Sequence, residues 1–151
     1  MEINDNIKDF NLHGINKDGE EKEFSFSQLK NDAVILYFYP KDNTPGCTIE
    51  ACDFRDNFNR LTGKATVIGV SPDDIKSHKK FQKDHSLNFI LLSDPEHKLA
   101  ETFGAWQEKS MYGKKYMGIN RSTFLIKNGV LKKIWNDVKV KGHVDEVLDS
   151  I

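Results

Sequence analysis

The stretch PKDNTPGCTIEACDFRD, residues 40–56, holds the only two cysteines of the chain, Cys47 and Cys52. Apolar residues recur at helical spacing from residue 47 to residue 61, and the turn-forming residues 44–46 precede them. Cys47 therefore lies at the N-terminus of a predicted helix, where unpaired N–H groups and the helix dipole stabilise a thiolate. Cys52 lies inside the same helix. This arrangement predicts that Cys47 attacks an electrophile and that Cys52 resolves the product.

The spacing of the two cysteines limits how they can react with each other. On an ideal helix, residues five positions apart lie about 140° apart around the axis, and their Cα atoms are roughly 8.6 Å apart. A disulfide requires Cα atoms closer than about 7 Å. A bridge between Cys47 and Cys52 therefore cannot form while the helix is intact. We predict a segment that is helical when reduced and locally unwound when the two sulfurs are joined.

Ionisation of the thiol cannot by itself make a fast catalyst. A free thiol with a pKa near 8.5 is about 3% ionised at pH 7, so complete ionisation gains only about 30-fold. The remaining acceleration must come from donors that orient the electrophile and stabilise the leaving atom. The candidates close in sequence are the Thr44 hydroxyl and the backbone N–H groups of Gly46 and Cys47, and an arginine is expected to join them.

A cation is expected beside Cys47 because acidic residues surround the cysteine pair in sequence. These are Asp42, Glu50, Asp53 and Asp56. Arg55 and Arg60 lie on the predicted helix, where solvated or ion-paired roles are usual. Arg121 begins the segment RSTFLI, which could run beside the apolar segment AVILYFY and present its first residue at the same end of a sheet. The residues alone leave that strand pairing open.

The remaining segments predict the elements that carry these residues. AVILYFY, residues 33–39, is apolar throughout, as expected for a strand buried on both faces, and Pro40 ends it. Two more buried strands are predicted over residues 65–71 and 88–94. Helices are predicted over residues 47–61, 71–85, 95–104 and 143–151, and β-hairpins over residues 9–26 and 121–135.

Local signals define some of these boundaries. The helix over residues 71–85 is predicted to have Ser71 as its N-cap and Pro72 at its first position. The second hairpin is predicted to turn at Asn128 and Gly129, and the first to lie at an edge of the sheet. The segment AWQEKSMYGKKYMG, residues 105–118, has no readable conformation.

This order of elements predicts an α/β fold with a mixed central sheet flanked by helices. The length of 151 residues and the absence of repeats or linkers indicate one domain, residues 1–151. Ligand sites in such folds lie beyond the carboxyl ends of the strands. Residues 40–47 leave the carboxyl end of the most apolar strand, so the topology and the cysteines point to the same place.

Composition excludes some classes of partner. Basic and acidic residues, 22 and 23 in number, are mixed along the chain without a basic block, which argues against nucleic acid. The longest apolar run, AVILYFY, is far shorter than the roughly 20 residues of a membrane helix. The polar N-terminus does not resemble a secretory signal, so a cytoplasmic location is predicted.

No metal site or cofactor is predicted. The histidines show no zinc-binding spacing, and each is interpreted as a solvated or capping residue. They are His13, His78, His85, His97 and His143.

The cysteine region resembles the peroxiredoxins, whose active-site pattern Pro-x-x-x-Thr-x-x-Cys is present as Pro40, Thr44 and Cys47. The longer string FYPKDNTPGCTIEACDFRD resembles the bacterioferritin comigratory protein type, in which a second cysteine follows five residues after the first. The similarity extends through GVSPDDIKSHKKF, LLSDPEHKLAETFG, MYGKKYMGINRSTFLI and KVKGHVDEVL. It therefore covers nearly the whole chain.

The resemblance implies a thioredoxin-like fold with an N-terminal extension and a thiol peroxidase activity. By this resemblance, the Cys47 thiolate attacks a hydroperoxide and becomes a sulfenic acid, which condenses with Cys52 to a disulfide. Thioredoxin or a similar dithiol would then reduce the bridge. Because the resolving cysteine is in the same chain, no dimer is required and a monomer is expected.

The resemblance also implies roles for individual residues. Thr44 would accept a hydrogen bond from the thiol or the peroxide, Pro40 would shield the sulfur from water, and Arg121 would lie beside the thiolate. Gly46 and Glu50 are candidate substrate-binding residues. For Glu50, orientation of neighbouring groups and a simple helix-start carboxylate are equally good interpretations.

Two other functions remain open from the sequence. A thioredoxin-type disulfide exchanger normally uses Cys-x-x-Cys, and the four residues between Cys47 and Cys52 argue against it. A redox-sensing interaction module could use the same sulfenic acid and disulfide without catalytic turnover. The sequence does not rank hydrogen peroxide against organic hydroperoxides.

Overall fold

The most apolar segment of the sequence forms an interior strand of a seven-stranded sheet. The structure is a computed structural model that describes residues 1–29 and 33–151. Its strands are β1 (Asn11–Ile15), β2 (Glu21–Ser25), β3 (Ala33–Phe38), β4 (Thr66–Ser71), β5 (Ile90–Ser93), β6 (Trp106–Met111), β7 (Lys114–Ile119), β8 (Ser122–Lys127) and β9 (Val130–Trp135). Its helices are α1 (Phe26–Leu29), α2 (Pro45–Asp56), α3 (Phe58–Leu61), α4 (Ile75–His85), α5 (Lys98–Thr102) and α6 (His143–Asp149).

The sheet order is β2-β1-β5-β4-β3-β8-β9. Strands β3, β4 and β5 are parallel, whereas β1, β2, β8 and β9 pair antiparallel with their neighbours. The predicted mixed sheet, and the prediction that the first hairpin lies at an edge, are therefore confirmed. A second sheet of two strands contains β6 and β7.

Strand β3 is buried on both faces, as its composition predicts. Ile35 and Tyr37 pack on the side that also receives Phe54 of α2 and Phe81 of α4. The alternating residues Val34, Leu36 and Phe38 pack on the opposite side. The strand therefore joins the two apolar layers, and it lies inside the sheet, between β4 and β8.

The pairing of β3 with β8 brings together residues that are far apart in sequence. The two strands are antiparallel, with Phe38 opposite Ser122. The residues after Phe38 and the residue before Ser122 consequently lie at the same edge of the sheet. Arg121 is thus placed at the carboxyl end of β3. The sequence alone had left this pairing of β3 with β8 open.

Helix α2 starts directly after this edge and buries one face. Its buried residues are Cys47, Glu50, Ala51 and Phe54, at positions i, i+3, i+4 and i+7. The helix begins two residues earlier than predicted and ends at Asp56 rather than at residue 61. Asn57 separates it from α3, and its side-chain Nδ2 donates to the Asp53 carbonyl at 2.7 Å. Such side-chain bonds compete with helix continuation.

The predicted start of the next helix is wrong. Helix α4 has Asp74 as its N-cap, and the Asp74 carboxylate accepts from the Ser77 N–H at 2.8 Å. Ser71 remains in β4, opposite Ser93, and its hydroxyl donates to Asp73. Sheet pairing therefore holds Ser71, and the nearer carboxylate supplies the cap.

Residues 105–118, for which the sequence predicted no conformation, include most of the β6–β7 hairpin. Its two-residue turn places Tyr112 and Gly113 at φ 51° and 78°. Tyrosine is an unusual residue at positive φ, so the usual turn signal is absent from the sequence. The predicted turn at Asn128 and Gly129 is confirmed, with φ values of 52° and 76°. No helix in the described part of the chain is long and apolar enough to span a membrane.

Candidate active site

Cys47 lies in the first turn of α2 and is almost completely buried. Cys52 is half-buried, and both cysteines are free thiols. The N-cap residue of α2, Thr44, makes no side-chain capping hydrogen bond. Because the first N–H groups of a helix have no intrahelical partners, they remain available to an acceptor beside Cys47.

The Arg121 guanidinium contacts two groups on α2. Its Nη2 atom donates to the Cys47 Sγ atom at 3.3 Å, and its Nη1 atom donates to the Glu50 Oε1 atom at 2.7 Å. Arg121 is itself mostly buried, with 16% of its side chain exposed. The structure therefore places a cation beside the sulfur and fixes its orientation with a carboxylate.

Glu50 is fully buried, and its second oxygen, Oε2, has no hydrogen-bond partner among the described residues. Burial raises the pKa of the Glu50 carboxyl to about 7, although the Arg121 charge opposes the shift. The Tyr37 hydroxyl, also buried, likewise has no partner in the described part of the chain. Burial, followed by the nearby charge of Glu50, raises the pKa of Tyr37. The interior side of Cys47 thus contains polar groups that are incompletely paired.

Thr44 and Pro40 line the exit from β3. The Thr44 hydroxyl donates to the Lys41 carbonyl at 2.8 Å, so its remaining hydrogen-bonding capacity toward a ligand is that of an acceptor. No hydrogen bond between Thr44 and Cys47 is found among the described residues. Pro40 is half-buried and follows the fully buried Tyr39.

Gly46 allows the close approach of Arg121 to α2. A Cβ atom at position 46 would lie 3.2 Å from the Arg121 Nη2 atom, the atom that contacts Cys47. Any larger side chain would therefore press on the guanidinium. This contact gives Gly46 a structural role besides the backbone N–H that the sequence suggested.

The acidic residues near the cysteines in sequence have different partners in space. Only Glu50 pairs with Arg121. The Asp42 carboxylate hydrogen-bonds to His78, and Asp56 pairs with Arg55. Arg60 pairs with acidic residues of α6, so the expected ion-paired roles of both helix arginines are confirmed.

The interpretation of all five histidines as solvated or capping residues is wrong for His78 and His143, which are buried. The His143 Nε2 atom lies 2.7 Å from the Thr123 hydroxyl, and burial lowers the pKa of His143 to about 4. His78 lies three residues before the buried Phe81, on the same face of α4. That helical spacing is the signal that could have identified His78 as buried.

Three residues could geometrically ligate a metal. The ligating atoms of Asp42, Asp73 and His78 lie within 4.8 Å of one another. The His78 Nδ1 atom lies 2.7 Å from the Asp42 Oδ2 atom, and Asp73 accepts from the Asp42 N–H and the Ser71 hydroxyl. These groups therefore satisfy one another as a hydrogen-bond network.

The sequence also missed Lys109, on β6. Its side chain is half-buried and lies over Gly118, where an added Cβ would be 3.3 Å from the Lys109 Cδ atom. Burial and the Arg121 charge lower the pKa of Lys109, whereas Cys47 acts in the opposite direction. The β6–β7 hairpin thus brings a second cation into the electrostatic environment of Cys47.

Comparisons with known proteins identify relatives of this chain. The AhpC/TSA family model matches residues 3–134. Peroxiredoxin Bcp of Bacillus subtilis (strain 168) is 51% identical over 153 residues, covering 100% of this chain and 95% of that protein.

Solved structures show the same fold. PrxQ of Xylella fastidiosa, as a cysteine-to-serine mutant, superimposes with a TM-score of 0.91 at 37% identity, covering 99% of this chain and 94% of that one. The bacterioferritin comigratory protein of Xanthomonas campestris, studied for its alkyl peroxide reduction activity, superimposes with a TM-score of 0.84 at 37% identity. The match covers 92% of this chain and 88% of that one. The predicted thioredoxin-like fold is confirmed.

Gly46→Ala should slow the oxidation of Cys47 without unfolding the protein. The new methyl group would displace the Arg121 Nη2 atom, whereas alanine is well tolerated in a helix. We expect about a tenfold lower rate constant, the size expected for weakening a hydrogen bond to a charged group. Stopped-flow oxidation of the reduced protein by hydrogen peroxide measures it. Ile49→Ala, at an exposed position of α2, is the matched control, and equal rates for the two variants would refute the effect.

Glu50→Gln should remove a pH dependence of stability. Because the pKa of Glu50 is about 7 in the folded protein and ordinarily 4.5, the folded state holds a proton in this interval that the unfolded chain releases. The Glu50 contribution to the free energy of unfolding therefore falls as the pH rises from about 4.5 to about 7. The fall is at most about 3 kcal/mol, since one pKa unit corresponds to about 1.4 kcal/mol.

Urea titrations between pH 5 and pH 8 measure this effect. The wild-type free energy of unfolding should fall more steeply than that of Glu50→Gln. Glu20→Gln, at an exposed position between β1 and β2, should retain the wild-type slope. Parallel curves for wild type and Glu50→Gln would show that Glu50 does not bind a proton in this range.

Proposed function

The chain belongs to the AhpC/TSA family and is a peroxiredoxin, a thiol peroxidase, and we propose that Cys47 is its peroxidatic residue and Cys52 its resolving residue. The observation that supports this assignment most directly is the 3.3 Å contact between the Arg121 guanidinium and the Cys47 sulfur. A permanent cation beside the sulfur supports the proposal, because both the thiolate and the leaving oxygen would carry negative charge there.

In the first step, the Cys47 thiolate attacks one oxygen of a hydroperoxide. A sulfur–oxygen bond forms, the oxygen–oxygen bond breaks, and Cys47 becomes a sulfenic acid. The other oxygen leaves with the bonding electron pair and takes up a proton to become an alcohol or water. Arg121 and the open N–H groups at the start of α2 would stabilise this developing anion.

The other residues of the site would orient the substrate. The Thr44 hydroxyl, whose own proton is directed at Lys41, would accept the hydrogen bond of the hydroperoxide. Pro40 would limit access of water to the sulfur. Glu50 would act through Arg121, because its contact in the structure is with the guanidinium rather than with the sulfur. Gly46 would contribute its N–H and the space that Arg121 occupies.

In the second step, the Cys52 thiolate attacks the Cys47 sulfur. The sulfur–sulfur bond forms, the sulfur–oxygen bond breaks, and the oxygen leaves as water after protonation. A dithiol of the thioredoxin type then supplies two electrons and two protons and restores both thiols. We include a monomer and a cytoplasmic location in the proposal, because both cysteines are in one chain and the cycle needs a reducing compartment. Residues 1–151 are proposed to act as one domain.

The separate roles of the cysteines predict different defects on mutation. Cys47→Ser should abolish peroxide consumption, since it removes the nucleophile. Cys52→Ser should be oxidised once per molecule and then stall, since no disulfide is offered to the dithiol. A thioredoxin-coupled assay with hydrogen peroxide, an alkyl hydroperoxide and wild type as reference measures both.

The same assay distinguishes the competing functions. Sustained turnover by wild type supports the peroxidase, whereas one oxidation per molecule would indicate a sensor. Normal thioredoxin-supported turnover by Cys52→Ser would refute the resolving role of Cys52. Disulfide exchange that needs no hydroperoxide would favour the thioredoxin-type exchanger.

Disulfide formation should unwind the first part of α2. The buried positions Cys47, Glu50, Ala51 and Phe54 pack only while the helix is intact, and a bridge across five positions is too long for an intact helix. Amide hydrogen exchange of residues 46–55 should therefore be protected in the reduced protein and fast in the disulfide form. Residues of β3 provide the internal control. Unchanged protection in a fully bridged sample would contradict the prediction.

A further inference from the structure

The Asp42 side chain is held by three hydrogen bonds outside the site described above. Its oxygens accept from the Tyr39 hydroxyl at 2.6 Å and from the Ser77 hydroxyl at 2.8 Å, and its Oδ2 atom lies 2.7 Å from the His78 Nδ1 atom. The Asp42 N–H donates to the Asp73 carboxylate at 2.8 Å. Asp42 is thus bonded through both its side chain and its backbone.

The geometry around His78 suits a protonated ring beside an ionised Asp42 carboxylate. Its Nδ1 atom faces the Asp42 carboxylate, and its Nε2 atom lies 2.9 Å from the Leu92 carbonyl in β5. A neutral imidazole has one N–H and would leave two acceptor atoms facing each other, whereas an imidazolium donates to both. The ring is fully buried. Asp42 and His78 therefore form a buried ion pair.

Electrostatics agree with this geometry. Burial lowers the pKa of His78, but the hydrogen bond and charge of Asp42, the hydrogen bond to Leu92 and the charge of Asp73 together raise the pKa above its usual value. The other titratable groups that face the ring are Asp73 and Tyr39. Tyr39 remains a neutral donor, since burial raises its pKa.

The position of Asp42 connects this pair to the reaction. Asp42 lies in the 40–44 loop, between Pro40 and Thr44. Among the described residues, its hydrogen-bond partners are Tyr39, which directly follows β3, two residues of α4 and one residue of the segment before α4, and none belongs to α2. Cys47, Glu50 and Cys52, by contrast, lie on α2. The site therefore consists of one part held on the sheet and α4, and one part on the helix that must unwind.

We propose that Asp42 and His78 are positioning residues that hold the 40–44 loop in the geometry required for the peroxide step, in both redox states of the protein. The inference rests on the proposed peroxidase cycle. When α2 refolds after reduction, Cys47 returns to a Thr44 hydroxyl that has not moved. A displacement of about 1 Å at a reacting group can lower a rate about a hundredfold, so such a device has a measurable effect.

The predicted consequence is a difference between the two steps of the cycle. Replacing His78 would loosen the 40–44 loop and slow the attack on hydroperoxide. It would leave the attack of Cys52 on the sulfenic acid unchanged, because that step depends on the unwinding of α2. A residue with only a general stabilising role would instead change the unwinding of α2 and thus alter the resolving step.

His78→Gln tests this difference, because glutamine keeps a polar side chain but cannot carry the charge. Single-turnover stopped flow of the reduced protein with hydrogen peroxide should show a second-order rate constant at least about tenfold below wild type. The resolving step should stay within about twofold. His13→Gln, the same change at an exposed histidine of β1, should match wild type in both steps. A folded His78→Gln protein with a normal peroxide step, or with both steps altered alike, would overturn the proposal.

A measurement on the wild type applies even if His78→Gln fails to fold. Nitrogen-15 NMR of the imidazole at pH 7 should show two N–H groups on His78 in the reduced and in the disulfide protein. A single N–H on His78 in the reduced protein would refute the ion pair. Two N–H groups in the reduced protein but one in the disulfide protein would refute the constant position of the loop. Wild type that consumes no hydroperoxide would instead refute the peroxidase cycle, so the two failures are distinguishable.

Discussion

The Arg121 guanidinium contacts both the Cys47 sulfur and the Glu50 carboxylate. These two groups lie on one helix, more than 70 residues before Arg121 in the sequence. This contact depends on the register between β3 and β8, in which Phe38 lies opposite Ser122. A shift of one residue would turn every side chain of β8 to the other face of the sheet. Such a shift would exchange Leu125 with Phe124 and Ile126 between two differently packed apolar layers, and the misfit opposes it. The packing of the apolar core therefore determines where the Arg121 guanidinium lies.

The contact between Glu50 and Arg121 has an energetic cost that would favour the proposed unwinding of α2. Glu50 is buried with one oxygen unpaired, and burial of an incompletely paired carboxylate opposes folding. With its pKa at about 7, Glu50 is partly protonated at neutral pH, which weakens its hold on Arg121. A helix whose buried face contains such a group gains less from packing than one with an apolar face. The pair is therefore better understood as a device for orienting Arg121 than as a source of stability.

The sequence predicted what depends on periodicity and turn chemistry. The buried strand ending at Pro40, the helix after it and the turn at Asn128 and Gly129 all carry local signals, and all are present. What it missed depends on tertiary context. Ser71 has the composition of an N-cap but is held in a strand by pairing with Ser93, so Asp74 takes that role. The hairpin around Tyr112 uses a residue that rarely adopts positive φ.

The placement of the site residues follows the same division. The pattern around Cys47 correctly placed this cysteine in the first turn of a helix, because a cysteine after a turn and before a helix is a local feature. The resemblance to peroxiredoxins, more than the residues themselves, directed attention to Arg121. His78 was misread because a single histidine carries no sign of its partner, and the Asp42 carboxylate lies 36 positions away. Buried polar pairs of this kind can be recognised only when the fold has brought both members together.

The proposed unwinding of α2 would stop before it reaches the 40–44 loop, because the bonds on either side of Thr44 differ. Pro45, the first residue of the helix, has no N–H to donate. The backbone hydrogen bond between the helix and Thr44 is donated by the Thr48 N–H to the Thr44 carbonyl, at 2.9 Å. Residues on the other side of Thr44 are bonded to α4 through Asp42 and His78. Loss of the first helical turn therefore breaks backbone bonds on the cysteine side and leaves the Asp42 contacts intact. A disulfide across five positions would require unwinding, and the bonds of Asp42 would confine that unwinding to the helix.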